Sequence, residues 1–308
     1  REKYERSKPL SDFNLGFCLH ITKETSILLM AVKALGANIS ICSANPLSVK
    51  EDIVEFLQYN EINVFATKNQ TKKEFFNNIR KVVNTNPNII TDDGAELHSF
   101  AHKRQIKSII GGTEETTSGI LRILSRQSKN KLNYAIIGVN DAKTKHLFDN
   151  RYGTGQSTIE GLLRTLGILI AGKDFVVCGY GWVGKGVSSS LRGLGAKVTI
   201  TEIDPIKALE AHLDGFNVKR LKDVLSIGDC FITCTGQRDV ISKEDFNFMK
   251  NGVFLANAGH FDVEIDVNYL HSQDKFPRPI RPFVESYNIK GKKIHLIAKG
   301  RVINLIAA

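Results

Sequence analysis

The sequence predicts an α/β protein of two parallel-sheet domains joined by a hinge. Three observations carry that prediction. Helix-like and strand-like segments alternate along the chain, a glycine-rich turn joins a strand to a helix within residues 171–204, and 308 residues suffice for two cores. The domains are expected at 1–150 and 151–308. Ligands are expected beyond the C-terminal strand ends and in a cleft between the halves.

The first half opens on the strand-like run Phe17-Cys18-Leu19. Helical patterning over Ser26–Leu35 follows, then a strand over Asn38–Cys42, a helix over Lys50–Tyr59 and a strand over Asn63–Ala66. A helix over Lys72–Val83 leads to strands at Ile89–Thr91, Lys107–Ile110 and Ala135–Val139. Gly36-Ala37-Asn38 suits a helix stop before a strand. Residues 138–167 are rich in polar residues, Gly and Asn before turning helical over Thr158–Leu169, and mark the hinge. The second half carries strand-like runs at 174–178, 197–201, 230–233 and 252–256, with helices expected at Asp223–Leu225 and Asp245–Met249.

The most specific motif lies at the start of that second half. Phe175-Val176-Val177 suits a buried strand, and Gly179, Gly181 and Gly184 follow as G-x-G-x-x-G, with Trp182 and Val183 filling the variable places before a helix over Lys185–Leu194. The first glycine allows a tight turn, the second lets backbone approach a pyrophosphate, and the third lets helix pack close on strand. The helix N-terminus offers free N–H groups and a positive dipole to phosphate. Lys197–Thr201 is the next strand, and Glu202 follows it, about 20 residues beyond the fingerprint. A carboxylate there accepts from both ribose hydroxyls and repels a 2′-phosphate, so the expected cofactor is NAD rather than NADP. Glycine-rich turns alone are common, but strand, glycines, helix, strand and acid in this order are specific. Both domains are therefore expected to be Rossmann-like.

Composition excludes several classes. Lys and Arg number 42 against 32 Asp and Glu, a net charge of +10. The basic residues are dispersed, and short runs such as Lys72-Lys73 lack interleaved aromatics, so no nucleic-acid partner is expected. A basic field still favours anionic ligands. No apolar run approaches the roughly 20 residues that span a bilayer, and Arg1–Arg6 lacks the apolar core of a signal peptide, so no membrane is expected. The chain starts without Met, and residues upstream are expected. Cys18, Cys42, Cys178, Cys230 and Cys234 are scattered without C-x-x-C spacing, as for buried, reduced thiols in a cytoplasmic protein without a metal.

Polar clusters gather at the ends of the strands. His20-Ile21-Thr22-Lys23-Glu24-Thr25, Asp92-Asp93-Gly94, the run from Gly112 to Gly119, and Asn140-Asp141 each follow a strand-like run, and Lys145 and Asp149 form an i,i+4 pair beyond. Singly, Thr25, Asp92 and Thr113 read as helix caps, His20 as a core histidine, and Lys145–Asp149 as a surface pair worth roughly 0.2–0.5 kcal/mol. Four such clusters at successive strand ends point instead to a site.

The wording of these segments is that of a known family. GGTEETTSG, NDAKTKHLFDNRYGTGQS, IAGKDFVVCGYGWVGKG, ITEIDPIKALEA and ANAGHFDVEID, with His20-x-Thr22-x-Glu24-Thr25 and the segment Cys42–Ser48, resemble S-adenosylhomocysteine hydrolase along the whole chain. The GTGQS wording resembles its archaeal and thermophile branch. The resemblance implies that bound NAD oxidises the ribose 3′-hydroxyl, that the acidified C4′ proton is removed and homocysteine leaves, and that water adds before the ketone is reduced back. It implies Lys145 and Asp149 at the 2′/3′-hydroxyls, with Lys145 taking the 3′ proton. It implies Asp93, His20 and His260 at the C4′ proton, leaving thiol and water, Glu115 at the ribose, and Thr22 and Glu24 at adenine. Thr116, Thr117, Ser118 and Asn150 would line the nicotinamide ribose, with Lys207, Ala258, Gly259, His260 and Asn304 completing the NAD pocket. The substrates implied are S-adenosylhomocysteine, adenosine and homocysteine, and the assembly a homotetramer or homodimer.

The chain also departs from the pattern. Thr154 stands where many relatives have cysteine, and Ser48-Val49-Lys50-Glu51 replaces S-T-Q-D, placing a lysine near the adenine side. The family pattern continues past Ala308 into a G-H-P segment and a tail that returns to the substrate domain and to a neighbour's NAD; neither occurs in these residues. Three other readings fit parts of the sequence: a hydrolase of S-inosylhomocysteine, a catalytically weak NAD-binding regulator, and a 2-hydroxy-acid dehydrogenase. The last leaves Lys145 and Asp149 unexplained.

Overall fold

The computed structural model describes residues 3–4, 6–260 and 262–307. They form two compact units, divided between Ala142 and Lys143. In the first unit β1 (Asn14–Leu19), α1 (Lys23–Ala34), β2 (Asn38–Ser43), α2 (Glu51–Tyr59) and β3 (Asn63–Phe65) come first. Then follow α3 (Lys72–Asn84), β4 (Ile89–Asp92), α4 (Glu96–Arg104), β5 (Gly111–Glu114), α5 (Thr117–Gln127) and β6 (Ala135–Gly138). The strands pair in the order β3-β2-β1-β4-β5-β6, all parallel. Residues 15–19 of β1 are all buried, as a central strand covered on both faces requires. One apolar cluster packs β1, β2 and β3 against α1 and α2, and another packs α3 and α4 against Cys18, Cys42 and Ile90.

Local chemistry accounts for the helix starts. α1 begins at Lys23, three residues before the expected start, because Thr22 is the cap and accepts from the Thr25 amide. Thr25 is therefore a helical residue and not a cap. Thr71 and Glu74 form a reciprocal capping box on α3. Thr116, not Thr113, caps α5. The strand expected at Lys107–Ile110 is a connection: Ile110 is 65% exposed, and the chain joins the sheet only at Gly111.

The second unit opens with a π-helix, Lys145–Gly153, which runs into α6 (Thr154–Leu166). β7 (Asp174–Cys178), α7 (Trp182–Gly193), β8 (Lys197–Thr201), α8 (Pro205–Leu213) and β9 (Asn217–Val218) follow. β10 (Cys230–Thr233), β11 (Val253–Asn257), α9 (Val267–Gln273), β12 (Arg278–Arg281), β13 (Val284–Ile289), β14 (Lys292–Ile297) and α10 (Ile303–Ile306) complete it. The π-helix, placed by sequence pattern in the first half, packs on α6 and α7. The helices expected at Asp223–Leu225 and Asp245–Met249 are 3-10 turns over residues 221–223 and 245–248.

The sheet order is β12-β13-β14-β11-β10-β7-β8-β9. Its strands β9, β8, β7, β10, β11 and β14 are parallel and repeat the order of the first unit. The sheet is not parallel throughout, because β13 runs antiparallel to both β12 and β14. Lys290 and Gly291, with φ of 50° and 85°, make the two-residue turn between β13 and β14 that forces this reversal.

Candidate active site

In the first unit the chain turns to opposite sides after β1 and β4, which leaves the C-terminal ends of these adjacent strands open as the topological switch point. His20 follows β1 and Asp93 follows β4. Their side chains meet there, with His20 Nε2 3.3 Å from Asp93 Oδ2, and the residues are only 7% and 6% exposed. The other ring nitrogen, Nδ1, lies 2.6 Å from the hydroxyl of the buried Ser48.

Two carboxyl groups hold this loop from beneath: Asp92, read from the sequence as a helix cap, and Glu114, which no sequence pattern singles out. Asp92 and Glu114 are register partners at the ends of β4 and β5, and both are fully buried. Glu114 accepts from the amides of Gly94 (2.9 Å), Ala95 (3.0 Å) and Thr116 (3.1 Å), and from the Thr116 hydroxyl (3.0 Å). Asp92 accepts from the amides of Asp93 (2.9 Å) and His98 (2.8 Å). It thus satisfies an amide at the start of α4 from outside the helix, rather than as its N-cap; the N-cap is Ala95, at φ 59°. Burial pushes both acids up to about 7, and for Glu114 the neighbouring Asp92 adds to the rise.

Asp92, His98 and Glu114 bring ligand-type atoms within 4.8 Å of one another. Both His98 ring nitrogens are engaged, by the Tyr134 hydroxyl and the Thr113 carbonyl at 3.0 Å each, so the ring offers no lone pair to a metal.

Thr22 lies at the cap of α1, with Glu24 exposed in the first turn. The Glu24 carboxyl is held below its usual range by its own amide and by the Thr22 hydroxyl, and so stays ionised. Glu115 is half-buried, its amide donating to the Asp92 carbonyl. Thr116, Thr117 and Ser118 start α5; Ser118 reaches the Thr116 hydroxyl and Asn140 the Thr117 hydroxyl.

In the second unit the π-helix arranges Lys145, Asp149 and Asn150. A π-turn holds more than four residues, so positions i+4 and i+5 both face residue i. Lys145 Nζ accordingly lies 3.1 Å from Asp149 Oδ2 and donates to Asn150 Oδ1 at 2.6 Å. The lysine side chain is 14% exposed and the aspartate 56%, so the pair joins a largely buried amine to a carboxylate at the surface. Sequence spacing found Lys145–Asp149, but the Lys145–Asn150 bond depends on the π-register. His146 stacks on Trp182 at 5.0 Å between ring centroids.

The glycine turn fits a dinucleotide. Gly179 has φ of 104°, and a side chain on Gly184 would run into the Gly179 carbonyl. Gly181 faces open space within 4 Å and precedes α7 without a side-chain cap, leaving amides for phosphate. The helix starts at Trp182 rather than Lys185. Glu202 Oε2 accepts from the Tyr180 amide at 2.7 Å, and Oε1 from the Ile203 and Asp204 amides, which fixes the carboxylate beside the turn. Lys207 is exposed on α8, 3.7 Å from Asp204.

Ala258, Gly259 and His260 follow β11, where the buried Asn257 amide ties the loop to Gly300. The fully buried Glu264 accepts from Thr235 and Gly236, and a side chain on Gly259 would strike it. Asn304 lies in α10, with its Oδ1 buried and without a hydrogen-bond partner among the described residues. The described cysteines are free thiols, and no helix among the described residues is long and apolar enough to cross a membrane.

Comparison with known proteins identifies the family. Residues 1–106 match the model of S-adenosyl-L-homocysteine hydrolase, and residues 150–308 match that of its NAD-binding domain. The adenosylhomocysteinase of Sulfolobus acidocaldarius is 46% identical over 310 residues, covering 100% of this chain and 75% of that protein. The S-inosyl-L-homocysteine hydrolase of Methanocaldococcus jannaschii is 43% identical, with the same shares covered. Among solved structures, a dipicolinate synthase of Bacillus halodurans has the same fold, with a TM-score of 0.59 at 15% identity, covering 97% of this chain and 99% of that one. The chain belongs to the S-adenosyl-L-homocysteine hydrolase family and carries its NAD-binding domain.

Proposed function

We propose that this protein reversibly hydrolyses S-adenosyl-L-homocysteine to adenosine and L-homocysteine, with the first unit as the substrate domain. The observation that carries the reading is the presence in one chain of an NAD turn and a buried His20–Asp93 pair. A simple dehydrogenase uses an NAD turn with one acid–base pair, and would leave Lys145, held by Asp149 and Asn150, unexplained. When bound, NAD would supply reversible hydride acceptance at the 3′ carbon, with no net oxidation.

The chain's own residues do the rest. Lys145, aimed by Asp149 and Asn150, takes the 3′-hydroxyl proton, and Asp149 accepts from the neighbouring hydroxyl. Asp93 takes the acidified C4′ proton, His20 protonates the departing sulfur, and His260 acts with them on water. Glu115 holds the ribose. Thr116, Thr117, Ser118 and Asn150 line the nicotinamide side, Glu202 holds the adenosine ribose of NAD, and Lys207, Ala258, Gly259 and Asn304 complete its pocket.

The ionised Glu24 favours adenine over hypoxanthine, because a carboxylate accepts from an exocyclic amine and repels a carbonyl oxygen. The relatives named for S-inosylhomocysteine support the second reading, with hypoxanthine as base. We place the protein in the cytoplasm as a homotetramer or homodimer, acting on small molecules.

The test is to incubate the purified protein with excess NAD and either thioether and to follow release of homocysteine thiol. Faster release from the adenosyl substrate supports the main reading, and faster release from the inosyl substrate the second. No release, and no reduction of bound NAD by adenosine, would refute both and leave the regulator.

A further inference from the structure

His20 is nearly enclosed, so each ring nitrogen needs a partner in every protonation state it visits. Nε2 faces Asp93. Nδ1 faces Ser48 Oγ at 2.6 Å, and Ser48 itself is fully buried. The serine hydroxyl has a second neighbour, the Asn45 carbonyl oxygen at 2.9 Å. That carbonyl also accepts from the Ser43 hydroxyl at 2.6 Å.

A hydroxyl carries one proton and two acceptor positions. Turned toward Asn45, the Ser48 hydroxyl donates to the carbonyl and accepts from an Nδ1–H. Turned toward His20, it donates to a bare Nδ1, while Ser43 keeps the Asn45 carbonyl satisfied. No buried polar atom in this chain of groups is orphaned by the turn.

We propose that Ser48 is the positioning residue for His20, its hydroxyl donating to the Asn45 carbonyl and accepting from Nδ1–H so that Nε2 alone exchanges protons. The assignment rests on His20 acting at the sulfur and C4′. When protonated His20 gives its Nε2 proton to the departing sulfur, Nδ1–H stays bonded to Ser48. The C4′ proton, now on Asp93, faces the bare Nε2 and can pass to it. One proton leaves the ring and one returns, so the histidine is recharged without rotating. An alanine at position 48 removes the Ser48 bond to Nδ1, and with it the contact that sets the ring's tautomer and aim.

The test compares Ser48→Ala and Ser48→Thr with the wild type, after thermal melts show that each folds. Three readouts apply: reduction of bound NAD by adenosine, homocysteine release, and 15N resonances of labelled histidine in the substrate-free protein. In Ser48→Ala, NAD reduction should stay within about twofold and KM within about threefold. Thioether cleavage should fall roughly ten- to a hundredfold, less than the 10²–10⁴ that a general acid–base group supplies. The His20 Nδ1 resonance should move, and Ser48→Thr should restore cleavage and resonance. If Thr is too large to fold, Ser48→Cys, a weaker donor, should fall between wild type and alanine. Cleavage unchanged in Ser48→Ala, or reduction and cleavage falling together, would overturn the proposal. A wild type that neither reduces NAD nor releases thiol sinks the functional reading instead, while the resonance shift still tests the His20–Ser48 bond.

Discussion

Replacing Gly155 by alanine tests whether close backbone packing holds the π-helix in register. Gly155 lies two residues past that helix, at the start of α6, against Gly186 of α7. A methyl group on Gly155 would sit 2.7 Å from the Gly186 carbonyl carbon and 2.9 Å from its Cα. Carbon atoms pack at about 3.5–4.0 Å, so the two helices must part by roughly 1 Å. The obstructing atoms are backbone and cannot rotate away. Two effects oppose each other. Alanine is favoured over glycine in a helix by about 0.8–1 kcal/mol, whereas overpacking costs about 1–3 kcal/mol. With backbone on both sides the second should win, leaving a net loss of up to about 2 kcal/mol. The displacement also reaches Lys145, for which a shift of about 1 Å costs on the order of 10²-fold in rate. Trp182, stacked on His146 across the same contact, reports the separation. Tryptophan fluorescence through a urea titration, with NAD reduction by adenosine, gives both numbers. A variant more stable than wild type by about 1 kcal/mol and fully active would show that helix propensity wins, and that the close approach holds nothing in place.

Three further outcomes follow from the same structure. Glu202→Ala should weaken NAD binding by roughly 10- to 150-fold, the loss of a charged hydrogen bond to ribose, as read by isothermal titration; affinity within threefold of wild type would remove Glu202 from the site. Lys145→Ala should fold normally yet fail to reduce bound NAD when mixed with adenosine, and reduction at the wild-type rate would show that another group takes the 3′ proton. Glu114 is raised to about 7 by burial, so its stabilising share is complete below its unfolded value and is lost as pH rises through about 7. The stability of wild type relative to Glu114→Gln should therefore fall by about 3 kcal/mol between pH 4.5 and 8, measured by urea titration, and a difference independent of pH would contradict the buried placement.

Both sheets were legible because their central strands are short β-branched runs punctuated by glycine and asparagine, with helical spacing between them. The Lys107–Ile110 error shows where that signal misleads. Lys-Ser-Ile-Ile looks like a strand, whereas the true β5 begins with Gly111-Gly112, which has no pattern to read. Glycine stands at 112 because any side chain there would meet the buried His98 ring, a contact made by a helix eight residues upstream. β12, with Arg278 and Arg281 exposed, offers no alternation, although Lys290-Gly291 between β13 and β14 suits a hairpin turn. The supporting roles of Asp92 and Glu114 were hidden for another reason. Each stands beside a second acid, and only strand register decides which of the two turns inward.

The π-helix can be regarded as a counting device. An α-helix advances 100° per residue, so Lys145 would meet Asp149 and Asn150 would swing away around the barrel of the helix. Removing one residue between 145 and 150 would bring the segment back toward the α count and put a different side chain opposite the amine. Substituting any one of the three residues changes a contact; changing the spacing changes who is in contact. Insertions and deletions in this nine-residue stretch should thus be far less tolerated than replacements at its exposed positions. The partners of Lys145 are specified by arithmetic along the backbone as much as by side-chain identity.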